Sequence, residues 1–192
     1  MIQFDAPVFV HLDIFHGIQA AKKMGAKFSP SKIQSDFNKF LMTMVGEEIE
    51  ALHFPAFNYD YGDTRIFDVM NDPVQVGSFI EWLRLEGIMV RSHTPFYSFL
   101  SGKPLNLKQG ARINPFGLNS GFHWLAQNDA YLVFIGAPLS SATFIHYIEE
   151  LIGKPLYRYD KLFPGMILHR DTVKFCEVSM HVRPSGANLE YD

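Results

Sequence analysis

Two short, almost unbroken apolar runs, APVFVHLDIF (6–15) and YLVFIGA (131–137), set the tightest limit on the fold. A strand with one wet face alternates apolar and polar residues, whereas these runs present apolar side chains to both faces. Such strands need cover on both sides of their sheet. SPSKIQSDFNKFLMTMV (29–45) supplies some of it, with Ile33, Phe37, Phe40, Leu41 and Met44 at helical spacing, Ser29 as a cap and Pro30 in the first position. NDPVQVGSFIEWLRLEG (71–87) predicts a second helix, capped by Asn71 or Asp72 and stopped by Gly87.

Further strands are expected over 49–57 and 88–92, short helices over 120–128 and 141–153, and a hairpin from MILHRD and VKFCEVSMHVR. The expected fold is α/β, a mostly parallel central sheet flanked by helices, with an antiparallel C-terminal extension. The 192 residues are expected to form a single domain, 1–192, able to bury a sizeable core. Ligands of such sheets bind beyond the carboxyl ends of the strands.

Charge and composition remove several function classes. Lys and Arg total 17 against 20 Asp and Glu, and no basic block occurs, so neither nucleic acid nor an anionic membrane is an expected partner. The mild acidity tolerates a cationic substrate. The lone cysteine, Cys176, excludes a disulfide framework and a thiolate metal cluster, and its alternating surroundings predict a buried thiol. MIQFDAPVFV lacks the features of a secretory signal, and the longest uncharged stretch is broken by Gly136 and Pro138, so a cytoplasmic protein is expected. Aromatics reach 15%, with 18 Phe, enough for a dense core or an aromatic-lined cleft.

Three stretches carry candidate chemistry. In SSATFIHYIEE (140–150), His146 falls in the first turn of a helix that follows a buried strand. The partial positive charge there disfavours imidazolium and keeps the ring neutral, the form a general base needs. Glu149 and Glu150 both share its helical face, so spacing leaves two partners open, beside a plain reading as core histidine and solvated carboxylates. HLDIFH (11–16) sets His11 and Asp13 on one strand face with His16 just beyond, a weak pattern for a catalytic metal in a hydrolase. VRSHTPFYS (90–98) combines an arginine with hydroxyls at a strand exit, a loop suited to an anion. Phosphate-loop, dinucleotide-binding and nucleophile-elbow patterns are all missing.

The order of these pieces resembles the aminoglycoside 3-N-acetyltransferase family from about Val8 onward. VFVHLDIFHG is similar to its first strand, and HFPAFNYDYGDTRIFDVMNDPVQVGSFIEWLR to its proline-led strand, aromatic loop and "P-x-x-V-G" helix. VRSHTPFYSFLSGK resembles its "R-S-x-x-P-x-x-S" loop. FGLNSGFHWL, then YLVFIGAPLSSATFIHYIEE, resemble its "F-G-x-x-S-P-F" segment, strand and "T-x-x-H-x-x-E" helix.

The resemblance implies transfer of an acetyl group from acetyl-CoA to a sugar amine, without a metal cofactor. It implies His146 as general base, Glu149 rather than Glu150 as its partner, and Thr143 near the developing oxyanion. It implies coenzyme A along His11, Leu12, Asp13 and Ile14 and along Arg91, Ser92 and Ser98, with Tyr59, Asp60 and Tyr61 facing the amino sugar. A homodimer is left open. The chain departs from the family pattern in three ways: Leu12 and Asp13 replace paired serines, Gly121 replaces a proline, and the sequence stops at Asp192 where relatives usually continue. The last departure implies a domain lacking the usual C-terminal part and some acceptor-binding acids. Other readings are an acyltransferase for surface-polysaccharide amino sugars, an inactive family remnant, and a metal-dependent hydrolase using His11, Asp13 and His16.

Overall fold

The first apolar run forms strand β1, Val8–Leu12, and the later one forms β7, Tyr131–Ile135. They pair in parallel over their whole length, Val8 opposite Tyr131 and Leu12 opposite Ile135. The computed structural model describes residues 4–153 and 157–184. On its other side β1 pairs in parallel with β2, Leu52–Pro55. The sheet then continues through β5, Phe99–Ser101, to β4, Val90–Arg91, in the order β4-β5-β2-β1-β7.

That sheet is mixed rather than mostly parallel, because β5 runs antiparallel to both β2 and β4. The loop over 92–98 is too short for the helical crossover a parallel return requires, so the chain turns back beside β4. A second sheet has the order β3-β8-β9-β6. It consists of β3, Ile66–Asp68; β6, Arg112–Ile113; and a long hairpin, β8, Tyr159–His169, with β9, Thr172–Val182. The expected hairpin is thus present, but β8 starts well before MILHRD.

Strand alternation sends the side chains of β1 into two separate cores. Val8 and Val10 join Phe37, Leu41, Phe79 and Leu83 beneath helices α1, Ile14–Lys23, α2, Ile33–Val45, and α4, Ser78–Leu85. Phe9 joins Phe99, Phe116, Phe122 and Tyr147 on the opposite face, under α5, Gly121–Gln127, and α6, Ile145–Ile152. Each fully buried phenylalanine contributes on the order of 2–3 kcal/mol. A third cluster, including Phe67, Phe163, Cys176 and Val178, sits against the second sheet, and Cys176 is buried as its sequence surroundings predict.

Several boundaries differ from expectation for local reasons. The first strand ends at Leu12, since Asp13 caps α1 by accepting from the His16 N–H at 3.1 Å. The helix expected over 71–87 begins only at Ser78, after Gly77 at φ 144°. Upstream, the Val74 N–H donates to Glu81 Oε2 at 2.7 Å and the Gln75 N–H to the Phe57 carbonyl at 2.9 Å, which holds this segment in an irregular path. Gly121 lets the Phe99 ring approach to 2.8 Å of where a Cβ would lie.

The exit of β7 is tightly packed. Gly136 has φ 70°, and a Cβ there would lie 2.5 Å from the Gly17 nitrogen and 2.6 Å from the Asp13 carbonyl oxygen. Gly136→Ala is expected to destabilise the fold by about 1–3 kcal/mol, read as a lower urea midpoint with an unchanged slope.

Candidate active site

Nine residues separate the end of β7 from the start of α6, including a single 3₁₀ turn, Leu139–Ser141. His146 is its second residue, and its Nδ1 lies 2.7 Å from Glu149 Oε2. The i, i+3 separation puts both side chains on one face, so the pairing arises within the helix. Glu150 is directed elsewhere, accepting from Asn114 Nδ2 at 2.9 Å and lying 3.3 Å from His181 Nδ1. His181 Nε2 in turn lies 2.9 Å from Asp160.

Distant residues complete the pair. Tyr157 donates its hydroxyl to Glu149 Oε1 at 3.3 Å, and Arg158 Nη2 lies 3.3 Å from Glu149 Oε2. Burial by itself would raise the Glu149 pKa, but the His146 hydrogen bond and the Arg158 charge hold the carboxyl below its ordinary range. Glu149 is therefore ionised and can accept from His146 Nδ1, near which Arg158 Nη2 also lies at 3.4 Å. Phe116 meets the imidazole edge to face, with ring centroids 5.2 Å apart.

A cleft of about 250 Å³ opens beside this helix start, lined among others by His11, Leu12, Phe57, Tyr59, Ser141 and Thr143. It brings together the exit of β1, the aromatic loop and the turn before α6, three regions remote in sequence. His11 is buried, stacked on Phe134 with centroids 4.9 Å apart. Its burial lowers its pKa to about 4, so the ring is neutral at ordinary pH. The Thr143 hydroxyl donates to the Ser141 carbonyl at 3.3 Å. The backbone N–H groups of Ala142, Thr143, Ile145, His146 and Tyr147 already bond within this turn, and the Ser141 hydroxyl donates to the Pro138 carbonyl at 2.6 Å.

Other expected site residues lie elsewhere. Tyr59 is half exposed at the cleft and Asp60 is exposed beside it, but Tyr61 is fully buried. Its hydroxyl donates to the Phe163 carbonyl at 3.1 Å, and burial pushes its pKa up, so it supports the loop from beneath instead of facing an acceptor. Arg91 is buried too, donating to Ser98 Oγ at 2.9 Å and to the Asp72 and Ala56 carbonyls. Ser98 donates to the same Ala56 carbonyl, so both residues pin the loop. Ser92 closes the turn by accepting from the Phe99 N–H at 2.9 Å. Ile14 packs into the core beneath α1 and not toward a ligand.

The metal reading loses its geometry. Asp13 bonds His16 Nδ1 at 2.8 Å in an exposed pair, while His11 is enclosed by Phe9 and Phe134. Among the described residues, no group of three metal-ligating side chains is placed to hold an ion. Nor is any helix among them long and apolar enough to cross a membrane. Sequence reasoning missed Tyr157, Arg158, His181 and Asn114, which reach α6 from the second sheet and its approaches and share no local spacing with His146. Phe116 alone had a signal, as the first residue of the FGLNS segment.

This two-sheet architecture is that of a class of solved acetyltransferases. It is similar to the YokD protein from Bacillus subtilis, with 16% identity, TM-score 0.66, and coverage of 93% of this chain and 75% of that one. It is also similar to AAC-IIIb in a binary complex with CoASH, at 14% identity and TM-score 0.63, covering 97% and 74% of the two chains. AAC-VIa bound to sisomicin gives 14% identity and TM-score 0.60 over 94% and 71%. The family model of the aminoglycoside 3-N-acetyltransferases matches residues 47–188, and the chain belongs to that family of acyltransferases. No curated protein matches it by sequence.

His53, like His11, is held down to about 4 by burial, against an ordinary 6.5. As pH falls through 6.5 the unfolded chain takes up protons at both rings, and the native protein takes them up only near 4. Stability is therefore expected to fall as pH is lowered across that window. Denaturant midpoints measured at several pH values check this, and His11→Gln should flatten the dependence.

Proposed function

We propose that the protein is a coenzyme A-dependent N-acyltransferase that moves an acetyl group from acetyl-CoA to an amino group of an aminoglycoside or related amino sugar. The observation that carries this reading is the 2.7 Å contact from His146 Nδ1 to Glu149 at the first turn of α6, in a chain of this family. With Nδ1 engaged, Nε2 is the basic atom. The acceptor amine attacks the thioester carbonyl and a C–N bond forms. His146 Nε2 takes the proton the amine loses, the C–S bond breaks, and that proton is available to the departing thiolate. Glu149, steadied by Arg158 and Tyr157, stabilises the imidazolium between those steps. No covalent bond to the protein is needed.

The cleft bounded by His11, Leu12, Tyr59 and Thr143 is where the thioester and amine would meet. The Thr143 hydroxyl is a donor for the developing oxyanion once it leaves the Ser141 carbonyl. Tyr59 and Asp60 together offer a ring face and a carboxylate, the pair of groups that suits a polycationic amino sugar. That chemistry fits a biosynthetic amino sugar as well as a drug, and an acceptor panel separates the two.

Thiol release from acetyl-CoA, measured against aminoglycosides and nucleotide-linked amino sugars, tests the proposal. His146→Ala is expected to lower kcat by on the order of 10²–10⁴, with Glu149→Gln causing a smaller loss. A His146→Ala protein working at near wild-type rate on every accepted amine would remove the general-base assignment.

A further inference from the structure

A second cavity, of about 510 Å³, lies between the loop over 92–109 and the tip of the β8–β9 hairpin. It shares no lining residue with the acyl-transfer cleft. The hairpin joins the two regions only at its ends. Arg158 and His181 sit by α6 at the open end, and the paired strands, eleven residues each, carry the tip on the order of 35 Å away.

One wall of this cavity is cationic. Arg170 and Lys174 stand on the hairpin, and His93 faces His169 with ring centroids 4.4 Å apart. Neither ring makes a hydrogen bond among the described residues, so both are free to donate to an acceptor in the cavity they line. Burial, followed by the charges of His169 and Lys174, lowers the His93 pKa, as expected where positive groups crowd together. Among the described residues no Asp or Glu lines the cavity, in a chain whose net charge is −3. The carboxylate that acts on His169, Asp68, is occupied by its own turn, accepting from the Met70 and Asn71 N–H groups and the Asn71 side chain. Arg170 also adopts φ 52°, a left-handed conformation in which glycine or asparagine would be less strained. The opposite wall is apolar, formed by Val90, Pro104, Leu105 and Leu107.

A guanidinium, an ammonium and two imidazoles match an anion with several acceptor oxygens, and the apolar wall matches an organic body attached to it. We propose that this cavity binds a small organic phosphate, at a site separate from the acyl-transfer cleft. The strained arginine at the hairpin tip then has a ligand role to offset its conformational cost.

Isothermal titration of the full chain with glucose 6-phosphate tests the proposal, with inorganic pyrophosphate as a second probe and glucose as the uncharged control. Saturable one-to-one binding of a phosphate probe is expected, with none of glucose. Arg170→Asn combined with Lys174→Gln should weaken it by at least roughly tenfold. Both positions are exposed and asparagine accepts the left-handed turn, so the variant should keep the wild-type circular dichroism spectrum. Saturating coenzyme A should leave the affinity unchanged, as should His146→Ala, whatever that substitution does to acyl transfer. Absence of saturable binding of both phosphates, an unaffected double variant, or displacement by coenzyme A would each overturn the proposal.

Discussion

The parallel pairing of β1 with β7 is the constraint on which the rest of the structure depends. Both strands are apolar on both faces, so neither is stable until helices cover the two sides of the sheet. Register then does the positioning. Val8 and Val10 go to the core under α1, α2 and α4, while Phe9 goes to the core under α5 and α6. Strand alternation puts His11 on the Phe9 side, the side from which α6 and the turn before it bring His146 and Thr143. Gly136 closes the geometry, because the turn out of β7 passes too near the start of α1 to admit a side chain.

The second sheet completes the electrostatics of the helix start. His146 and Glu149 find each other through helical spacing alone, but an isolated surface pair of that kind would be worth little. Tyr157 and Arg158, at the entry to β8, reach the same carboxylate and partly enclose it, so it remains charged when half buried. Residues at the entry to β8 thus keep charged the carboxylate that pairs with a histidine on α6.

Helices and strands carried by strong periodicity were legible in the sequence: α2, α5, α6, β1 and β7 all lie within the expected spans, although α2 starts at Ile33 without Ser29 as its cap, α6 starts at Ile145 and β1 is confined to Val8–Leu12. The parallel sheet was over-read. A run such as IMVRS shows that a strand exists but not which way its neighbour runs, and the short loop after it settles the antiparallel return. The helix over 71–87 was over-read for a related reason. Asn71, Asp72 and Pro73 are good cap residues in isolation, yet their backbone and side chains bond to β3, β4 and the aromatic loop instead. Arg91, Ser98 and Tyr61 occupy their motif positions but turn inward, since a motif specifies residue types and burial is decided by the packing around them.

What the sequence alone determined was local: the buried strands, the helix start that follows β7, and a histidine one turn ahead of two glutamates. These follow from periods of two and 3.6 residues, which act over a few neighbours and leave their pattern in adjacent letters. Only the tertiary structure decided what encloses the His146–Glu149 pair, which tyrosine of the aromatic loop meets solvent, and that two histidines more than seventy residues apart, His93 and His169, pack together at a cavity wall. Those outcomes depend on sheet register and on contacts between distant segments. No local period encodes them, because the free energy that selects them exists only once the whole sheet has assembled.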